Sequence, residues 1–248
     1  MKKDSLSPGL QPSSPMSDRE HGILLALARL RFMSTRQIHR LYGYAGNHGI
    51  SVTRRKLNDM ERFGWVKSWQ PSKYEQKIYY ISKRGALEME YRHGVEGIKS
   101  FRKSEKSIHF TLIAEVFVQL QTAEAGILRA FEVEPKFGGL IPDAYIEFAL
   151  DSRPVKLFLE VDRSTESAGY LRDIKMEKYR HYYMTPERPD ALPALMILVD
   201  TEYRKSLFRR ISEQYRLPAA SFTIDEWIIS PLSCVKQTAA SLRNAPPS

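Results

Sequence analysis

Apolar residues recur at three- and four-residue intervals through the first third of the chain, then give way to short runs and alternations. In DREHGILLALARLRFM, residues Ile23, Leu24, Leu27, Leu30 and Met33 share one helical face, with Asp18 as N-cap after Ser17. Ser34 starts a second short helix, STRQIHRLYG, which Gly43 closes. A third, SVTRRKLNDMERFG, turns Val52, Leu57, Met60 and Phe63 inward, leaves Arg54, Arg55 and Lys56 outside, and ends at Gly64. The period then drops to two: WVKSW and KIYYIS read as strands of a hairpin whose polar tip, QPSKYEQ, carries Lys73. Three helices followed by such a hairpin predict an N-terminal winged helix-turn-helix.

Beyond it, SKRGALEMEYRHGV reads as a helix and EGIKSFRKSEKS as a polar, basic linker, placing a boundary near residue 100. IHFTLIAEVFVQLQTAEA is an apolar helix, ILRAFEVEP a strand, and residues 143–162 a hairpin. ESAGYLRDIKMEKYRHYYM reads as a long helix, ALMILVD as a buried strand, TEYRKSLFRRISEQYR as a helix and SFTIDEWII as a last strand. The order αβββαβαβ predicts a mixed sheet with helices on its faces, so the chain as a whole falls in the α+β or α/β class. The expected division is a disordered Pro-, Ser- and Gly-containing tail (1–17), a winged-helix domain (18–100), a mixed-sheet domain (101–235) and a flexible tail (236–248).

Composition narrows the partners. In 248 residues no apolar run is long enough to span a bilayer, and the N-terminus lacks the apolar core of a signal peptide, so the expected location is the cytoplasm without membrane attachment. Cys234 is the single cysteine, which excludes an intrachain disulfide and a cysteine-based zinc site. The net charge of +9 is uneven: residues 18–106 hold 19 Lys and Arg against 9 Asp and Glu, whereas residues 107–248 hold 17 against 19. A basic first half suggests attachment to a polyanion, and double-stranded DNA fits better than a membrane because no basic amphipathic helix has an aromatic apolar face. Arg54, Arg55 and Lys56 on the third helix are placed to reach phosphates and base edges in the major groove, with Lys73 and Lys77 of the hairpin on the adjacent backbone.

The hairpin IPDAYIEFALDSRPVKLFLEVDRS concentrates the chemistry. With DSRP (151–154) as its turn, partner numbers sum to 305 and alternation sorts the side chains. One face collects Ala144, Ile146, Phe148, Leu150, Val155, Leu157, Leu159 and Val161. The other pairs Asp143 with Asp162, Tyr145 with Glu160, Glu147 with Phe158 and Ala149 with Lys156, so Asp143, Glu160 and Asp162 converge at one end. Opposed Cβ atoms lie about 4.5–5.5 Å apart, within reach of one divalent cation. Like charges so close favour an intervening cation or proton. A solvated sheet face is the alternative. The six histidines show no paired metal-binding spacing, and no glycine-rich phosphate loop or serine-nucleophile signature appears.

PDAYIEF and LFLEVD resemble the two halves of the PD-(D/E)XK nuclease motif. The resemblance implies that Asp143 and Glu160 bind Mg²⁺ or Mn²⁺, with Glu115 as a further metal neighbour. Asp162 stands where that superfamily has its lysine, and some members supply the lysine from the following helix, where this chain offers Lys175. Asp162 is then expected to add a ligand or anchor Lys175, and Arg163 with the STES turn to contact phosphate or cap the next helix. RRKLNDMERFGWV, IYYISKRG, PDA, EVDRSTES and KMEKY together resemble the plasmid replication-relaxation family and the C-type mobilisation relaxases. That resemblance implies a DNA-processing protein of a mobile element, a metal-dependent endonuclease that nicks or relaxes DNA near a plasmid origin, with relaxosome proteins as partners. Winged helices often bind two half-sites, which makes a homodimer an expectation as well. The other reading is a non-catalytic DNA-binding regulator or mobilisation accessory with a degenerate nuclease domain.

Overall fold

The structure, a computed structural model, describes residues 16–164, 166–185 and 192–244. It divides into two compact units, Met1–Val118 and Gln119–Ser248. The expected disordered tail lies outside the described residues except for Met16 and Ser17.

The first unit begins with α1 (Asp18–Leu30), whose N-cap is Ser17 rather than Asp18: Ser17 and Glu20 form a reciprocal capping box. A two-residue strand, β1 (Met33–Ser34), leads into α2 (Thr35–Tyr42), capped in the same way by Ser34 and Gln37. Then follow α3 (Gly49–Arg62), β2 (Val66–Trp69), β3 (Ile78–Ile81) and α4 (Lys83–His93), the last stopped by Gly94 in the left-handed region. The three strands form an antiparallel sheet in the order β1-β3-β2. Leu24, Leu27 and Leu30 of α1, Ile38 of α2, Leu57 and Met60 of α3, and Trp65 and Ile81 of the hairpin are fully or almost fully buried, which is the helical face read from the sequence. Val52 and Phe63 are only half-buried.

The next helix, α5 (Ser107–Gln121), runs across the division between units. Its first turns are tied to α2: Gln37 Nε2 donates to the Thr111 carbonyl at 2.8 Å and to Glu115 at 2.9 Å. That polar link places the start of α5 with the first unit, beyond the linker that composition marks near residue 100.

The second unit is built on a five-stranded mixed sheet in the order β4-β5-β6-β7-β8. β4 (Ile127–Val133), β5 (Ala144–Leu150) and β6 (Arg153–Asp162) are antiparallel neighbours, while β7 (Ala194–Val199) and β8 (Ala219–Thr223) continue parallel to β6. One face is the predicted apolar set, every member from Ala144 to Val161 at most 9% exposed. The other is covered by α6 (Ala168–Tyr170), a π-helical stretch (Leu171–Met176), α7 (Glu177–Met184) and α8 (Glu202–Gln214), which contribute Leu171, Met176, Tyr179, Tyr183, Phe208 and Ile211 to a core with Phe158 and the β7 side chains.

Two expectations fail at the C-terminal end. The last strand stops at Thr223, and IDEWII is a helix, α9 (Ile224–Ile229), because Thr223 and Glu226 complete a capping box. Of the stretch expected as a flexible tail (236–248), residues 236–244 complete α10 (Pro231–Ala240) and form a 3₁₀ turn (Ser241–Asn244), with Thr238 fully buried, and 245–248 lie outside the described residues. Among the described residues no helix is long and apolar enough to cross a membrane.

The hairpin register is the correction that matters. The turn holds two residues, Asp151 and Ser152, at φ 49° and 64°, and Leu150 pairs with Arg153. Two successive positive φ values suit a tight hairpin turn whose twist matches its strands. Pro154 therefore sits inside β6 opposite Ala149, before the pairing with β7 begins at Leu157. A proline lacking an N–H is tolerated where a strand has a neighbour on one side only. Partner numbers consequently sum to 303, as in Ala144 with Leu159. The shift by two leaves each residue on its predicted face but changes every partner. Tyr145 meets Phe158, Glu147 meets Lys156, and one step beyond the Ala144–Leu159 pair Asp143 meets Glu160 instead of Asp162.

Candidate functional site

Asp143 enters β5 directly after Pro142, and its Oδ2 accepts the Val161 amide at 2.7 Å across the strand pair. Glu160 on the facing strand is 2% exposed, so its carboxylate is cut off from water and must find donors inside. It finds two. Tyr179 OH, from the first turn of α7, donates to Oε1 at 2.6 Å, and Lys175 Nζ stands 2.7 Å from Oε2. Lys175 belongs to the π-helical stretch, a rare local geometry that recurs at functional sites. Nothing in the helical spacing of the sequence announces it.

Electrostatics follow from this enclosure. Burial pushes the Glu160 carboxyl well above the usual carboxylate range; Lys175 pulls it back, and the Asp143 charge pushes it further up. At Lys175 burial works against the ammonium, but Glu160, Asp143 and Glu166 together outweigh it and the pKa ends above the ordinary lysine value. The Tyr179 phenol is raised far above its normal value by burial and by the Glu160 charge. Lys175 thus supplies positive charge between carboxylates that would otherwise repel.

Asp162 does not join them. Arg204 of α8 grips it in a two-pronged pair, Nε to Oδ2 at 2.6 Å and Nη2 to Oδ1 at 2.9 Å, with both side chains almost fully buried. The ion pairs of Lys175 are to Glu160 and, at 3.7 Å, to Glu166. Three carboxylates sharing a cation, as the register with a four-residue turn implied, are therefore not what is seen: among the described residues no group of three or more His, Cys, Asp or Glu is gathered to hold a metal. Two facing carboxylates still fit magnesium, which is commonly held by one or two carboxylates with water and phosphate oxygens completing the shell. Each oxygen engaged by Val161, Tyr179 or Lys175 keeps a second lone pair.

The remaining sequence candidates are dispersed. Glu115 lies in the first unit, where it accepts from Gln37 and pairs with Arg40 at 2.5 Å, the surroundings of a carboxylate that ties two helices together. Arg163 is half-buried at the end of β6. Ser167, not Ser164, caps α6 by accepting from the Tyr170 amide, Ser164 donates to Asp200, and Thr165 lies outside the described residues. Tyr183 is a packing residue whose hydroxyl donates to the Pro193 carbonyl at 2.7 Å. Glu166, read from the sequence only as part of a turn, is the acid that was missed.

In the first unit Arg54 and Arg55 are exposed on α3, Lys56 is half-buried there, and Lys73 is exposed at the hairpin tip beside Tyr74. Lys77 pairs with Glu61 at 3.5 Å. Arg54 and Lys77 line one groove with Arg36 and Asn58, two residues that helix and strand patterns do not single out.

The sequence pattern of the family described as Replication-relaxation matches residues 24–191. No curated protein matches. Among solved structures the chain is similar to restriction endonuclease FokI bound to DNA, at a TM-score of 0.34 and 12% identity over 90% of this chain and 45% of that one. A second FokI structure gives 0.33 and 14%, over 91% and 45%. The chain spans less than half the length of those FokI chains.

Proposed function

The chain belongs to the replication-relaxation family, and from that premise we propose that it is a DNA-processing protein of a plasmid or other mobile element, with a DNA-binding first unit and a phosphodiester-cleaving second unit. The observation that carries the reading is one juxtaposition: Asp143, one step beyond the last paired residue of β5, comes opposite Glu160 in register and its charge acts on Glu160, with the Lys175 ammonium 2.7 Å from Glu160. Asp143 and Glu160 would hold Mg²⁺ or Mn²⁺, which when bound supplies Lewis-acid charge and a more acidic water. Lys175 then places positive charge where a phosphate gains negative charge as water adds to phosphorus and the bond to the leaving deoxyribose oxygen breaks. Tyr179 keeps Glu160 oriented. Asp162 has a supporting role through Arg204.

In this reading the first unit is a winged helix-turn-helix on duplex DNA, presenting α3 with Arg54, Arg55 and Lys56 to the major groove and Lys73, with Lys77, to the neighbouring backbone. The net +10 of residues 18–106 supports it. Its setting is the cytoplasm, at a plasmid origin region, with relaxosome proteins as partners and a homodimer covering two half-sites.

The test is supercoiled plasmid carrying the cognate origin, incubated with Mg²⁺ or Mn²⁺. Open circles with the wild type, and none with Asp143→Ala or Glu160→Ala, are the expected result. Retarded DNA with no strand break in either metal overturns cleavage and leaves the second reading, a non-catalytic DNA-binding accessory. One observation favours that alternative: both Glu160 oxygens already have donors in Lys175 and Tyr179.

A further inference from the structure

Glu166 lies on the loop between β6 and α6; its side chain is 34% exposed, but its Oε2 atom is buried and has no hydrogen bond among the described residues. It forms an ion pair with Lys175, whose Nζ is 3.7 Å from that oxygen. The same ammonium is 2.7 Å from Glu160 Oε2. A buried carboxylate oxygen without a donor is costly, and an ammonium has three N–H groups to offer. A movement of about one ångström by a flexible four-carbon side chain would therefore carry Lys175 from one acid onto the other.

The loop is not free to drift away. Arg204 Nη2 donates to the Glu166 carbonyl at 2.8 Å while its guanidinium is clamped on Asp162. Asp162 fixes Arg204, Arg204 fixes the backbone of Glu166, and Glu166 presents its carboxylate to Lys175. This gives the Asp162–Arg204 pair a purpose that burial alone does not.

We infer that Glu166 is a positioning residue for Lys175: a second seat that holds the ammonium in the site when Glu160 is drawn to another cation or to substrate. The inference rests on the reading of Glu160 and Lys175 as the reacting groups. It resolves the difficulty that Glu160 is already occupied, because Lys175 can yield one carboxylate without leaving the site.

The experiment reads the ammonium itself. Full-length protein labelled with ¹³C and ¹⁵N in lysine gives a slowly exchanging ammonium signal for a buried, hydrogen-bonded lysine, identified as Lys175 by its disappearance in Lys175→Met. The signal is expected to persist in Glu166→Gln, to persist at a changed shift in Glu160→Gln, and to be lost to solvent exchange in the double variant. Loss in Glu160→Gln alone, or persistence in the double variant, overturns the inference. If Glu160→Gln does not fold, Glu160→Asp withdraws the first seat and the same two outcomes decide. In the nicking reaction Glu166→Gln is expected to lower kcat about tenfold with KM for DNA unchanged, and Glu166→Asp to recover part of it; a raised KM with unchanged kcat counts against positioning. The expected ammonium pattern in a protein that never nicks DNA would sink the cleavage reading and leave the two-seat arrangement standing, and nicking without that pattern would do the reverse.

Discussion

Glu160 and Asp162 stand two residues apart on the same face of β6, each at most 3% exposed and each against a cation. Asp162 meets the planar fork of Arg204, which matches both carboxylate oxygens at once and spends a further N–H on the Glu166 carbonyl. Glu160 meets two unrelated donors, a phenol and the end of a flexible lysine, while a second carboxylate, Asp143, faces it across the strand pair. The first arrangement is closed and rigid. The second holds its cation by one point and keeps a spare acceptor for it at Glu166. Burial and charge are alike at both acids; the geometry of the partner separates the closed pair at Asp162 from the acid proposed to be reactive, Glu160.

The comparison breaks most visibly in stability. Asp162→Ala leaves the Arg204 guanidinium buried without its carboxylate, and removing one member of such a pair costs about 3–5 kcal/mol. Equilibrium denaturation should show the loss as a lower midpoint. Replacing both residues together, Asp162→Leu with Arg204→Met, should restore most of it, because an apolar pair of similar volume carries no uncompensated charge. A loss under about 1 kcal/mol in Asp162→Ala would mean that the pair is not the closed strut described here.

Lys175→Met probes the other acid, and its effect should depend on pH. Burial already raises Glu160, and Lys175 is the group that holds the rise in check. Without it the folded carboxyl moves further above its unfolded value and binds a proton that the unfolded chain has released. Stability contributed by a raised group is present below its unfolded pKa and is lost as pH rises towards the folded value. Because the wild-type Glu160 carboxyl is already raised to about 8, the two proteins should lose stability in parallel up to about pH 8, and above it the variant should go on losing about 1.4 kcal/mol per pH unit while the wild type levels off. Denaturation midpoints on both sides of pH 8 measure it, and curves that stay parallel above pH 8 would show that Lys175 does not compensate Glu160.

How far the sequence discloses this pair of acids is instructive. Alternation placed Glu160 and Asp162 on one face, and a shift by two preserves faces, so the apolar side of the hairpin was legible. Partners were not, because they depend on the backbone of Asp151 and Ser152, which could sit in a two- or a four-residue turn. That one ambiguity decides whether Asp143 meets Glu160 or Asp162. Arg204 lies 42 residues beyond Asp162 on another element, where no local pattern links them. Lys175 was legible as the lysine of the following helix, whereas the π-helical stretch around it was not. In the first unit the capping boxes and a 3.6-residue period carry the helices from local signals alone. The Thr223–Glu226 box was written in the sequence just as plainly, but the apolar run after it resembled a strand.

That last box provides the baseline for the comparison. Glu226 pairs with Lys205 at 2.5 Å and accepts the Thr223 amide at 2.8 Å, yet its side chain is 42% exposed. The hydrogen bond from Lys205, and then that from the Thr223 backbone, lower its pKa. The sign is the reverse of that at Glu160: the contribution is present above the unfolded carboxylate value and is lost as pH falls through the folded one. Glu226→Gln keeps the capping shape and removes the charge, so at neutral pH it should cost only about 0.5 kcal/mol, discounted for solvent screening, and nothing at a second, acidic pH below the folded carboxyl's lowered value. Thermal or denaturant midpoints at the two pH values are enough to see it. If this exposed pair cost as much as Asp162→Ala, enclosure would not be what makes the acids of β6 expensive to disturb, and the contrast between the rigid pair and the mobile one would lose its energetic ground.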